Sequence, residues 1–139
     1  MSTATRLIAF VALALCLRIP VSAQNPPDPH SIPVVDGALG PCSADFTVND
    51  TAGKPVYNAK VSVRVAYGRF HKLDLEVGTN VDGKARLAGL PTNPRRGLFF
   101  EATEGERTAN AFQDPSSNCK AQFTVTLRKS STTPDSNPE

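Results

Sequence analysis

Two histidines, His30 and His71, and two carboxylates on alternate positions, Asp74 and Glu76, are the residues whose types could move protons. Acid–base chemistry needs such groups to converge, and here the spacing separates them. His30 stands among prolines beside Asp28 and reads as a solvated side chain. His71 shares strand parity with Leu73 and reads as a packed edge residue. Neither a His-x-x-x-His pair nor a His-Glu pair falls on one face, and the chain has no Gly-x-Ser-x-Gly elbow. Asp74 and Glu76 would stand about 6–7 Å apart on one outward strand face. Lys72 lies beside them, and a solvated face is the better reading. Asn80 and Asp82 offer two oxygens in a turn, where calcium takes roughly six to eight. The expectation is no catalytic residue, no metal site and no cofactor: not an enzyme.

Binding chemistry has a little more to work with. Stacking on a sugar face needs exposed aromatics; the chain has no Trp, and Tyr57, Phe70 and Phe99 are those expected at the surface. They are the candidate ligand-binding residues. Tyr57 and Phe70 flank one predicted strand, so coplanarity of the three would favour a glycan platform. Half-buried packing is the competing reading.

These residues have to be placed by elements, and the first segment is not one of them. Arg6, an apolar run over 7–17 and Val21-Ser22-Ala23 make a secretory signal peptide over 1–23, cut after Ala23, with a run too short to span a bilayer. Losing it removes Arg6 and Arg18 from the 15 Lys+Arg and leaves 13 against 13 Asp+Glu. A neutral mature chain argues against nucleic acid or an anionic membrane as partner. Cys42 and Cys119 are then an even pair in an exported chain, and a disulfide is their natural use.

Cys42-Ser-Ala-Asp-Phe-Thr-Val48 is nearly repeated as Cys119-Lys-Ala-Gln-Phe-Thr-Val125. In both, Cys, Ala, Phe and Val alternate as a strand with one buried face requires. Both cysteines open their strands, so bridging them favours parallel first and last strands, neighbours in a sheet or facing across the core. Between them, alternation predicts strands over 59–67, 73–77, 84–87, 98–103 and 107–112, separated by Gly-, Pro- and Asn-rich turns. The four prolines within 24–40 read as an extended linker, and 130–139, without an apolar residue, as a disordered tail. One domain over 41–129 remains: an all-β, seven-stranded sandwich closed by one disulfide.

Asp50-Thr-Ala-Gly53-Lys-Pro55-Val-Tyr-Asn-Ala59-Lys-Val61-Ser-Val63 and Thr79-Asn-Val-Asp82-Gly83-Lys-Ala85-Arg-Leu87-Ala-Gly89-Leu90-Pro91 resemble the carboxypeptidase regulatory-like domain over roughly 43–127. That resemblance implies an immunoglobulin-like or transthyretin-like sandwich of about seven strands. It also implies a module that accompanies enzymes, receptors and adhesins rather than catalysing. A hydrolase of 5-hydroxyisourate shares the transthyretin-like sandwich, but its Tyr-Arg-Gly-Ser ending is missing here. The resulting expectation is a non-catalytic, exported bacterial module, secreted or periplasmic, for protein interaction or structural support at the cell envelope. Its partner would be an unidentified protein or an envelope glycan. A carbohydrate-binding module is the alternative, and a small hydrolase using His71 the third.

Overall fold

Stretches in which apolar and polar residues alternate leave one face to bury, and two such faces must meet. The computed structural model, which describes Ser22 and residues 24–130, places them in two sheets, with no helix among the described residues. The strands are β1 (Val34–Asp36), β2 (Cys42–Asn49), β3 (Lys60–Tyr67), β4 (His71–Gly78), β5 (Lys84–Leu90), β6 (Leu98–Glu104), β7 (Arg107–Gln113), β8 (Lys120–Thr126) and β9 (Arg128–Lys129). One sheet runs β1-β5-β2-β8, the other β4-β3-β6-β7-β9. The protein is an all-β sandwich closed by the Cys42–Cys119 disulfide.

The inner faces are those the alternation selects. Cys42, Ala44, Phe46 and Val48 of β2 face Val61, Val63 and Val65 of β3 and Leu98, Phe100 and Ala102 of β6 across one core. Phe46 meets Phe100 edge-on at 5.0 Å between centroids and stacks on Phe123 at 5.2 Å, so an aromatic cluster joins the sheets. β2 and β8 are parallel neighbours, with Ala44 beside Ala121, Phe46 beside Phe123 and Val48 beside Val125. The two near-identical segments thus lie in register side by side. The disulfide, with Cα atoms 4.6 Å apart, ties their first residues together.

The structure adds strands to the expected seven at both ends. Residues 24–40 were expected to be a linker, yet they carry β1, which pairs parallel with β5. Val35 and Leu39 pack against the core. Proline removes an N–H but keeps its carbonyl, so a Pro-rich segment can still be held as acceptor. Pro29 and Pro33 accept from the Val81 and Arg86 amides in this way. At the other end β9 pairs with β7, up to the edge of the expected tail. The signal-peptide reading rests on residues 1–23, which, Ser22 apart, lie outside the described residues, as does the tail over 131–139. No helix among the described residues is long and apolar enough to cross a membrane. Together with the disulfide, this is compatible with an exported protein.

Candidate functional site

The histidines and carboxylates do not assemble. His30 is exposed, but its Nδ1 lies 2.9 Å from Asp82 Oδ2, and this hydrogen bond raises its pKa above 6.5, with the charges of Asp82 and Asp28 adding to it. His71 is exposed rather than packed at an edge; its ring stacks on Tyr67 at 5.4 Å. Asp74 receives two bonds from Arg64, at 2.6 and 3.1 Å, and Glu76 lies 3.2 Å from Lys60 Nζ. Arg64's hydrogen bonds hold the Asp74 carboxyl below its ordinary range, helped by the charges of Arg64 and Lys72. Each carboxylate therefore has a cation of its own, and the two do not form an acid–base pair. Asn80, 3% exposed, spends its side chain on structure: Oδ1 accepts from the Asp82 and Lys84 amides, and Nδ2 donates to the His30 and Ser31 carbonyls.

The aromatic trio is exposed, as expected, but dispersed. Tyr57 precedes β3 and Phe70 sits in the hairpin after it, so the eight residues of β3 separate them by about 23 Å or more. Tyr57 and Phe70 thus stand at opposite ends of β3. Phe99 lies on the outward face of β6. The structure gives Phe99 a different companion, Phe112, its cross-strand partner on β7 at 4.8 Å between centroids. The rings remain 67% and 52% exposed. Alternation carries the signal for Phe112, since Thr108, Asn110 and Phe112 share one parity of β7 and Ala109, Ala111 and Gln113 the other.

That pair belongs to a larger surface, the outer face of the five-stranded sheet. Across it Asp74 of β4 pairs with Arg64 of β3; Val63 opposite Phe100 puts Arg64 next to Phe99. One strand step toward the β3–β4 hairpin, Lys72 of β4 lies opposite Ala66. The loop before β6 closes this end. The Arg95 amide donates to the Ala66 carbonyl at 3.0 Å, and its Nη1 donates to the Arg69 carbonyl at 2.6 Å. The result is a depression of about 500 Å³ lined by Arg64, Lys72, Arg95, Arg96, Gly97 and Phe99. Among the described residues Lys72, Arg95 and Arg96 have no carboxylate within ion-pair distance. A step the other way, Glu76 and Glu101 line a neighbouring, acidic depression. Four cations thus line one hollow with no carboxylate in its lining, while its neighbour, which shares Arg64 and Phe99, holds Asp74, Glu76 and Glu101. Electrostatically it suits an anion.

No protein-family model and no curated protein sequence matches the chain. Solved structures of similar fold include a 3-chlorocatechol 1,2-dioxygenase from Rhodococcus opacus 1CP (13% identity, TM-score 0.44, 80% of this chain and 68% of that one). Another is the catechol 1,2-dioxygenase of Acinetobacter radioresistens (15%, 0.44, 79% and 62%). A third is a 9R-lipoxygenase from Cyanothece PCC8801 (13%, 0.45, 78% and 21%). This chain spans less than two thirds of the latter two. At these identities the likeness concerns the fold, and no activity passes from them to this chain. It does correct one expectation. The sequence reading expected a non-catalytic module for protein interaction or structural support; the similar structures are dioxygenases, and that expectation is not upheld.

Proposed function

We propose that the chain is an exported sandwich of the carboxypeptidase regulatory-like type that binds an anionic ligand on the outer face of its five-stranded sheet. The observation that carries the binding reading is the hollow lined by Arg64, Lys72, Arg95 and Arg96, of which only Arg64 is paired with a carboxylate, Asp74 of the neighbouring depression. Two of these side chains are already positioned, Arg64 by Asp74 and Arg95 by the Arg69 carbonyl. Less side-chain freedom is therefore left to lose on binding. The family reading is supported by its turn residues: Gly83 and Gly89 of Asp82-Gly83 and Gly89-Leu90-Pro91 take φ of +70° and +65°, the region that favours glycine. Export rests on the leader-like residues 1–23, with cleavage after Ala23, and on the cystine.

The test is an NMR titration of the oxidised mature chain with sodium acetate and sodium phosphate. Shifts should concentrate on the amides of residues 95–97 and on Lys72, and weaken with added salt. The Lys72→Gln/Arg96→Gln double variant should bind at least about fivefold more weakly, one charged hydrogen bond being worth about 1.5–3 kcal/mol before solvent screening. Shifts scattered over the surface, or unchanged in the double variant, would refute the reading.

A further inference from the structure

Charge alone does not account for what stands at the rim of the cationic hollow. Phe99 and Phe112 lie side by side on a solvent-facing sheet, and neither gains the burial that ordinarily justifies a phenylalanine. Their arrangement is specific. A Cβ on Gly97 would overlap the Phe112 ring, which therefore lies directly over the glycine backbone. Gly97 is not in the left-handed region, so the position needs glycine for space rather than for conformation. The absent side chain gives Phe112 a seat, and from that seat the ring leans on Phe99 at 48° between planes. Arg64 stands on the other side of Phe99 with its guanidinium held by both oxygens of Asp74.

An apolar wall and a group of cations thus share one edge, with Phe99 and Gly97 lining the hollow that holds Arg95 and Arg96. A small hydrated anion would use the cations and leave the wall wet. An apolar ligand without charge would use the wall and leave the cations unmatched. A flat aromatic ring carrying a carboxylate uses both. Its ring can pack against Phe99 and Phe112 in the tilted or offset arrangements that aromatic pairs prefer. Its carboxylate then reaches the planar guanidinium of Arg96 or Arg95, which suits two-point recognition.

We infer that the hollow selects aromatic carboxylates, with Phe99 and Phe112, seated by Gly97, as the residues that set that specificity; this rests on the anion-binding reading above. The probes are 2-naphthoate, acetate and the neutral 2-naphthamide, each titrated into the oxidised mature chain and followed by NMR at residues 95–99 and at the two phenylalanine rings. Naphthoate is expected to bind about five- to tenfold more tightly than acetate, the gain of one good aromatic contact. Phe99→Ala should remove that advantage, bringing the affinity for naphthoate down to that for acetate in the same variant. Gly97→Ala, which must displace the Phe112 ring, should reduce it, while Arg96→Gln should weaken both anions. Variants are compared at matched melting behaviour, so that a folding defect in Gly97→Ala leaves Phe99→Ala as the deciding variant. Equal binding of acetate and naphthoate would overturn the aromatic selectivity and leave the anion site standing. Naphthamide binding as tightly as naphthoate would overturn both, as would the absence of shifts at 95–97.

Discussion

Thr79 spends one buried side chain on two backbone groups. It is 3% exposed, and its hydroxyl does two jobs, accepting from the Ala59 amide at 2.9 Å and donating to the Val56 carbonyl at 2.6 Å. Both partners belong to the stretch that leads into β3, so one buried hydroxyl fixes where that strand begins. Valine has nearly the same shape and neither bond. Thr79→Val should therefore lower stability by about 1–3 kcal/mol, the cost of a buried donor and acceptor left unpaired. Thr79→Ser should recover most of it. Urea unfolding of the three proteins decides the matter: a valine variant as stable as the parent would mean that water or a local shift satisfies both groups. The same residue marks a limit of sequence reading. In Gly78-Thr-Asn-Val-Asp-Gly83 the turn is legible from Asn80 and the Asp-Gly pair, but nothing in the pattern shows that Thr79 and Asn80 are buried. Their partners lie some 20 and 50 positions away. By contrast Phe99 was legible as outward because its neighbours Leu98 and Phe100 alternate with it.

At the scale of elements, long strands with one buried face could be read and the short strands at the two ends could not. β2, β3 and β8 announce themselves through alternate Val, Ala and Phe positions, and the shared Cys-x-Ala-x-Phe-Thr-Val segment even implies their parallel order. β1 has only three residues, after a run of prolines, and the backbone bonds flanking it run both ways, the Arg86 amide donating to Pro33 and the Gly37 amide to Ala88. Such ties leave no hydrophobic signature. The segment ahead of β1 is instead pinned by Asn80 and by the His30–Asp82 contact, which makes its attachment depend on pH. The folded-state pKa of His30 is raised above 6.5, first through its bond to Asp82. A raised histidine pKa contributes fully below about 6.5, its unfolded value, and the contribution fades as pH rises through the folded value. Residues 28–33 should thus hold more tightly at pH 5.5 than at pH 8. Exchange of the Val81 amide, which donates to Pro29, is the readout. Exchange rates corrected for intrinsic pH dependence should rise toward pH 8 in the parent and lose that trend in Asp82→Asn. A trend surviving in Asp82→Asn would remove His30 as its cause.

For the whole molecule the decisive feature is that chain closure is made twice, once by hydrogen bonds and once by sulfur. β2 and β8 pair along seven residue positions, so hydrogen bonds join the two ends beside the bridge. What the bridge changes is the unfolded chain, which it closes across a separation of 77 residues. The chain-entropy relation gives about 4.5 kcal/mol for such a loop. A domain with a core of this size has a total stability of only about 5–15 kcal/mol, so the bridge supplies a large share of it. Reduction should then leave the β-sheet content and the β2–β8 contacts intact at low temperature. The melting midpoint should fall by about 20 °C or more, given roughly 4–8 °C for each kcal/mol in small domains. The Cys42→Ala/Cys119→Ala variant should behave like the reduced protein. Circular dichroism of the oxidised, reduced and doubly substituted forms separates the two closures. A fall of only a few degrees would place the closure in the strand pairing. Loss of β structure on reduction at low temperature would show that the parallel pair cannot form without its bridge. The cationic hollow lies in the other sheet, so reduction should leave anion binding unchanged as long as the protein remains folded.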